Sequence, residues 1–140
     1  MAPEVDWSGC AKSKLVLDGE DLHGANLEGA DLTGTNLTGA NLSKAKLSEV
    51  KLFWTLLTGA NLSGADLTKA EMHRTNLQGA DLTGASLVKA ELHRVILSGA
   101  KLVHGNLEKA ELGRELRRQA RPHGFVTAVR HACYEYLVVA

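Results

Sequence analysis

From Leu17 to Leu112 every fifth residue is leucine, with Met72 the single exception. Neither an α-helix nor one continuous strand accommodates that period. Five helical steps of about 100° rotate each successive leucine by roughly 140° and scatter them around the axis, while on a long strand an odd period sends alternate leucines to opposite faces. The chain must therefore turn a corner within every five residues, and a repeat this regular decides the architecture ahead of local propensity.

With the leucine as position i, position i−2 is small, being alanine at twelve of the twenty repeats, and position i−1 is mostly Asp, Asn, Lys or Glu. Residues i−2 and i face one way and i−1 the other, as in a short strand. Positions i+1 and i+2 are rich in Thr, Ser and Gly, the composition of a turn. A second period of twenty lies over the first: Gly19, Gly39, Gly59, Gly79 and Gly99 obey it, TGANLS begins at 38 and again at 58, and KAEMHR, KAELHR and KAELGR begin at 69, 89 and 109. Four sides per coil follow, giving about five coils and, at the inter-strand spacing of about 4.8 Å, a rod about 24 Å long. The inward set is Leu17, Leu22, Leu27, Leu32, Leu37, Leu42, Leu47, Leu52, Leu57, Leu62, Leu67, Met72, Leu77, Leu82, Leu87, Leu92, Leu97, Leu102, Leu107 and Leu112.

These tandem A(D/N)LXX units, as in GANLEGADLTG and TGANLSGADLT, resemble the pentapeptide-repeat family over residues 15–114. The resemblance implies an all-β solenoid, a right-handed quadrilateral β-helix with leucines stacked inside and the i−2 alanines beside them. Val5, Trp7 and Cys10 roughly keep the register but Lys12 occupies a leucine position, so residues 1–14 are expected to form an irregular first coil with Trp7 as its lid. An open solenoid end exposes apolar side chains and unpaired strand groups. Residues 115–140 are expected to cover it as a C-terminal helical cap or dimerisation segment, with one helical pattern over 108–121, a break at Pro122 to Gly124, and a second pattern over 125–140. In the topoisomerase-inhibitor group that the repeats resemble, members pair through their C-terminal ends, so a homodimer is one expectation.

Sixteen basic and sixteen acidic residues cancel. That removes the simplest case for nucleic acid or an anionic membrane as partner, and no nucleic acid is expected. No basic start precedes an apolar stretch and no run of apolar residues is long enough to span a bilayer, so the sequence predicts a cytoplasmic protein without a membrane span. Cys10 and Cys133 lie far apart and form no ligand pattern, which reads as reduced thiols.

Because coils stack, outward residues twenty apart become neighbours. Phe53, Trp54 and Leu56 replace the Thr, Gly and Asn of adjacent repeats, so all three are expected at the surface, on the side that also carries Val16 and Ile96. With Arg74 and Arg94 they form the candidate partner-binding set. The competing explanation is a stack of Trp54 on Arg74 with nothing bound. Glu71, His73, Glu91 and His93 offer metal-ligand chemistry across two coils. Flanking Lys69, Lys89, Arg74 and Arg94 explain the same carboxylates as salt-bridge ladders, so neither metal nor cofactor is expected. Thr35, Thr55 and Thr75 fall on inward i−2 positions and should bond to backbone.

The function expected is that of a non-catalytic protein–protein interaction module with an unknown protein partner. No nucleophile and base share a pocket, and the glycines are corner residues rather than a phosphate loop. The alternative that the resemblance suggests is a DNA-mimic inhibitor or protector of DNA gyrase. Mimicry requires long unneutralised carboxylate rows, since B-DNA carries about one charge per 1.7 Å, and a rod of about 24 Å spans only some seven base pairs.

Overall fold

The computed structural model describes residues 5–114 and Leu116. Parallel bridges join residues twenty apart throughout, from Asp6↔Asn26 and Ala11↔Asp31 to Ser86↔Asn106. The same register continues into β1 (Glu91–Leu92) and β2 (Glu111–Leu112), paired as Glu91↔Glu111 and Leu92↔Leu112. Bridged positions recur every five residues, so each coil of the solenoid has four sides.

The repeat is explained by where its five backbone donors go. Around Leu42, Asn41 N donates to Glu20 O at 2.9 Å, Leu42 N to Asn61 O at 2.7 Å and Lys44 N to Ser63 O at 2.9 Å, while Ala45 N closes the turn on Leu42 O at 3.1 Å. The fifth donor, Ser43 N, has no backbone acceptor and binds Asn41 Oδ1 at 3.2 Å. Thr33 N on Asp31, Thr83 N on Asp81 and Glu108 N on Asn106 repeat this clamp at 2.9 to 3.0 Å. Asp and Asn are therefore preferred at i−1 because a short side-chain acceptor completes the donor set, in the manner of an Asx turn.

The residue two past each leucine lies in the left-handed region, with φ between 53° and 69° from Gly9 to Lys109. Glycine adopts it freely; a residue with a Cβ does so at a cost of roughly 1–2 kcal/mol. Ten non-glycine residues nevertheless occupy such corners, among them Trp54, Arg74 and Arg94.

Leucines 22 to 107 of the inward set, with Met72, are buried, and the i−2 alanines line the space beside them. Leu17 and Leu112, at the two ends, are only half-buried against this core, because no further regular leucine layer covers them. Thr35, Thr55 and Thr75 are fully buried, and their hydroxyls donate to Lys12 O, Leu32 O and Leu52 O, the backbone role expected of them.

The irregularity expected over residues 1–14 is absent from the backbone of residues 5–14. Trp7 N donates to Asn26 O at 2.8 Å and Lys12 N to Asp31 O at 2.7 Å, so the ladder already runs there. Only the side chain departs: Lys12 Nζ leaves the leucine position to lie 5.2 Å from the centroid of Trp7, which packs against the end of the core. Leu116 is buried in the same core at the other end. The helical pattern expected from residue 108 does not hold over its first residues, because the parallel ladder continues there and Glu111–Leu112 pair with Glu91–Leu92; the pattern beyond Leu116, the one over 125–140, and Cys133 lie outside the described residues.

Two outcomes follow. Leu67→Asp or Leu77→Asp should abolish the β-type circular dichroism, because an unpaired charge in this aliphatic core costs several kcal/mol against a total stability of order 10. The second concerns acid. Thr33 and Thr83, through hydroxyl and then amide, hold the Asp31 and Asp81 carboxyls below their ordinary value of 3.8. Stability from these clamps is complete above 3.8 and is lost as pH falls through the lowered folded value. Asp81→Asn keeps the acceptor but takes up no proton. Its thermal midpoint should lie at or slightly below wild type at neutral pH, where the ionised Asp81 contributes, and fall less steeply as pH drops below 3.8.

Candidate functional site

One corner of the solenoid breaks the repeat's own rules over successive coils. At i−1, where Asp31 holds the clamp, the following coils carry Lys51, Glu71 and Glu91 in register. At i+2, Gly34 gives way to Trp54, Arg74 and Arg94, all with φ between 53° and 58°. At i+1 the column reads Thr33, Phe53, His73, His93 and Gly113. The corner has thus given up both the clamp and the strain-free glycine, and strain of this kind collects where side chains serve function.

Trp54 is 58% exposed and Leu56 44%, as the sequence predicts, but Phe53 is half-buried. Its ring packs edge-on against His73, with centroids 5.1 Å apart, and edge-on against Trp54 at 6.3 Å. Arg74 lies over the Trp54 ring at 5.9 Å, so the expected stack is present, and the indole still faces solvent. Arg94 lines a shallow cleft with His93, Val95, Ile96 and Arg114. Val16 and Ile96 are exposed, but Asn36 and Asn76 stand between them and Leu56 in the bridged column, so the aliphatics do not form one patch. Val103, 53% exposed on another corner, was not singled out by sequence because it stands alone among polar neighbours.

The charged ladder also differs from expectation. Lys69 Nζ turns to Glu49, at 2.8 Å, and Arg74 turns to Trp54. Among the described residues no Lys or Arg nitrogen lies within 4.0 Å of Glu71, Glu91 or Glu111. The carboxylates pair instead with imidazoles: His73 Nε2 with Glu91 Oε2 at 2.9 Å, and His93 Nε2 with Glu111 Oε2 at 3.6 Å. The two rings meet edge-on, 4.9 Å between centroids, extending the Phe53 column. The signal for that column was in the sequence, since 53, 73 and 93 are twenty apart.

The family model for pentapeptide repeats matches the chain in eight copies, over residues 21–52, 45–84 and 75–114. This chain belongs to the pentapeptide-repeat family. A pentapeptide-repeat protein of the Arabidopsis thaliana thylakoid lumen is 30% identical over 76% of this chain and 74% of its own, with a TM-score of 0.73. One from Nostoc PCC 7120 is 29% identical over 76% of this chain and 88% of its own, with a TM-score of 0.62. QnrB1, a plasmid-mediated fluoroquinolone resistance protein, shares the fold at 20% identity and a TM-score of 0.62, over 78% of this chain and 63% of its own. No match was found among curated protein sequences. Among the described residues no helix is long and apolar enough to cross a membrane.

Trp54→Gly tests whether the indole serves stability. Relief of left-handed strain, roughly 1–2 kcal/mol, is opposed by glycine's entropy, about 0.5–1 kcal/mol, and by the lost cation–π contact, about 0.5–1 kcal/mol. These nearly cancel, so the thermal midpoint should stay within about 4 °C of wild type. A larger fall in the melting curve would make Trp54 structural.

Proposed function

We propose that this chain is a non-catalytic docking rod whose partner is a protein that recognises the corner formed by Phe53, Trp54, Leu56, Arg74 and Arg94. In this reading the rod is right-handed, has about five coils, works in the cytoplasm, and is covered or paired through residues 115–140. The observation that carries it is Trp54: a large indole held at φ 53° and left 58% exposed, where the preceding coil has Gly34. Arg74 below the ring presents a guanidinium beside an aromatic face, and Trp and Arg are the residue types enriched among interface hot spots. Half-buried Phe53 packs edge-on against both Trp54 and His73 and so favours one geometry of the corner, which lowers the ordering cost of association.

QnrB1's fluoroquinolone resistance gives a second reading, action on a type II topoisomerase, some support from fold alone. The balanced charge of this chain opposes it, because a surrogate for duplex DNA needs a strongly negative face.

Affinity capture from the source lysate, with tagged wild type against a Phe53→Ser, Trp54→Ser variant, checks both. A partner retained by wild type and lost with the variant is expected. Topoisomerase subunits in that role would favour the second reading, and identical recovery by both baits would remove the corner as a docking site.

A further inference from the structure

The column that continues from Phe53 holds a second chemistry, independent of docking. A His73 ring nitrogen, a Glu91 carboxylate oxygen and a His93 ring nitrogen all lie within 4.8 Å of one another. They come from two successive coils whose backbones are locked in register by Glu71↔Glu91 and by Met72 N on Glu91 O at 2.9 Å. The sequence predicts salt-bridge ladders here and no metal. That expectation depended on flanking cations neutralising the carboxylates, and the structure turns Lys69 and Arg74 to other partners.

We propose that His73, Glu91 and His93 bind one divalent cation of borderline softness, with zinc the representative ion. Two imidazoles and one carboxylate are a donor set suited to zinc rather than to calcium or magnesium, which take oxygen ligands. Ligands on one tetrahedral zinc stand about 3.3 Å apart, given bonds of about 2.0–2.1 Å. The 2.9 Å contact between His73 and Glu91 opens slightly to reach that spacing, and the wider separations close by rotation of half-exposed side chains, with no backbone movement.

Electrostatics favours the ion. Glu71, Glu91 and Glu111 stack in parallel register, an arrangement of like charges that costs energy unless a cation relieves it. No side-chain nitrogen of Lys89 or Arg94 lies within 4.0 Å of these carboxylates. The fourth coordination position is accounted for as well. Position 113 is glycine, so the imidazole column ends at His93 and position 113 adds no side chain over it; the cleft lined by His93, Arg94 and Gly113 opens there. Glu111 Oε2, 3.6 Å from His93 Nε2, is a further donor for that position, with water the alternative.

The test is calorimetric titration of zinc chloride into the full, tag-free, chelator-stripped chain near neutral pH. One site is expected, weakened at least tenfold in Glu91→Gln and in the His73→Ala, His93→Ala double variant, and unchanged in His104→Ala, which removes an exposed imidazole on another corner. Circular dichroism of each variant establishes that it is folded. The wild type supplies a check that needs no variant: of the six histidines, zinc should shift the ring nitrogen resonances of His73 and His93 alone. No uptake by wild type, equal uptake by the double variant, or shifts centred on other histidines would overturn the site.

Discussion

Everything in this molecule depends on the parallel register that sets each residue beside the one twenty positions on. Once Asp6 pairs with Asn26 and Ser86 with Asn106, inward positions meet inward positions and the leucines must stack. The constraint is strict because the backbone has no slack. Around interior leucines such as Leu42, three donors go to neighbouring coils and one closes the turn, and the fifth is met by the i−1 side chain wherever that residue is Asp or Asn. Hydrogen bonding and apolar burial thus demand the same period, and local and global preferences agree.

That agreement is why the fold was legible in the sequence. A leucine every fifth residue excludes helix and flat sheet, and glycines twenty apart count the sides of a coil. The i−1 preference was legible only as polarity, since nothing in a composition says that the amide of i+1 lacks a partner. Lys12 misled for a related reason. A lysine at a core position suggests a broken coil, yet its long stem lets the ammonium escape to the Trp7 face while the backbone stays in register.

The site was legible in part. Phe53, Trp54 and Leu56 stood out as departures from the repeat, and the pairing of Trp54 with Arg74 follows from their twenty-residue separation. The side-chain choices did not follow. Lys69 has carboxylates to choose from and takes Glu49; Phe53 had seemed a solvent residue and instead lies against His73. Long side chains on a rigid scaffold select among several neighbours a few ångströms apart, and a one-dimensional pattern carries no information about which one wins.

The two periods of this chain protect different things. Loss or gain of a single five-residue unit leaves every leucine facing inward and every turn closed, so the core does not register the change. All residues beyond that point, however, move round to the next side. A change between residues 54 and 73 would part Phe53 from His73 and Trp54 from Arg74, and one between 74 and 91 would part Glu91 from His73, although not one of them had been replaced. Only a change of a whole coil leaves the columns in line. The five-residue period keeps the protein folded, and the twenty-residue period keeps its surface meaningful.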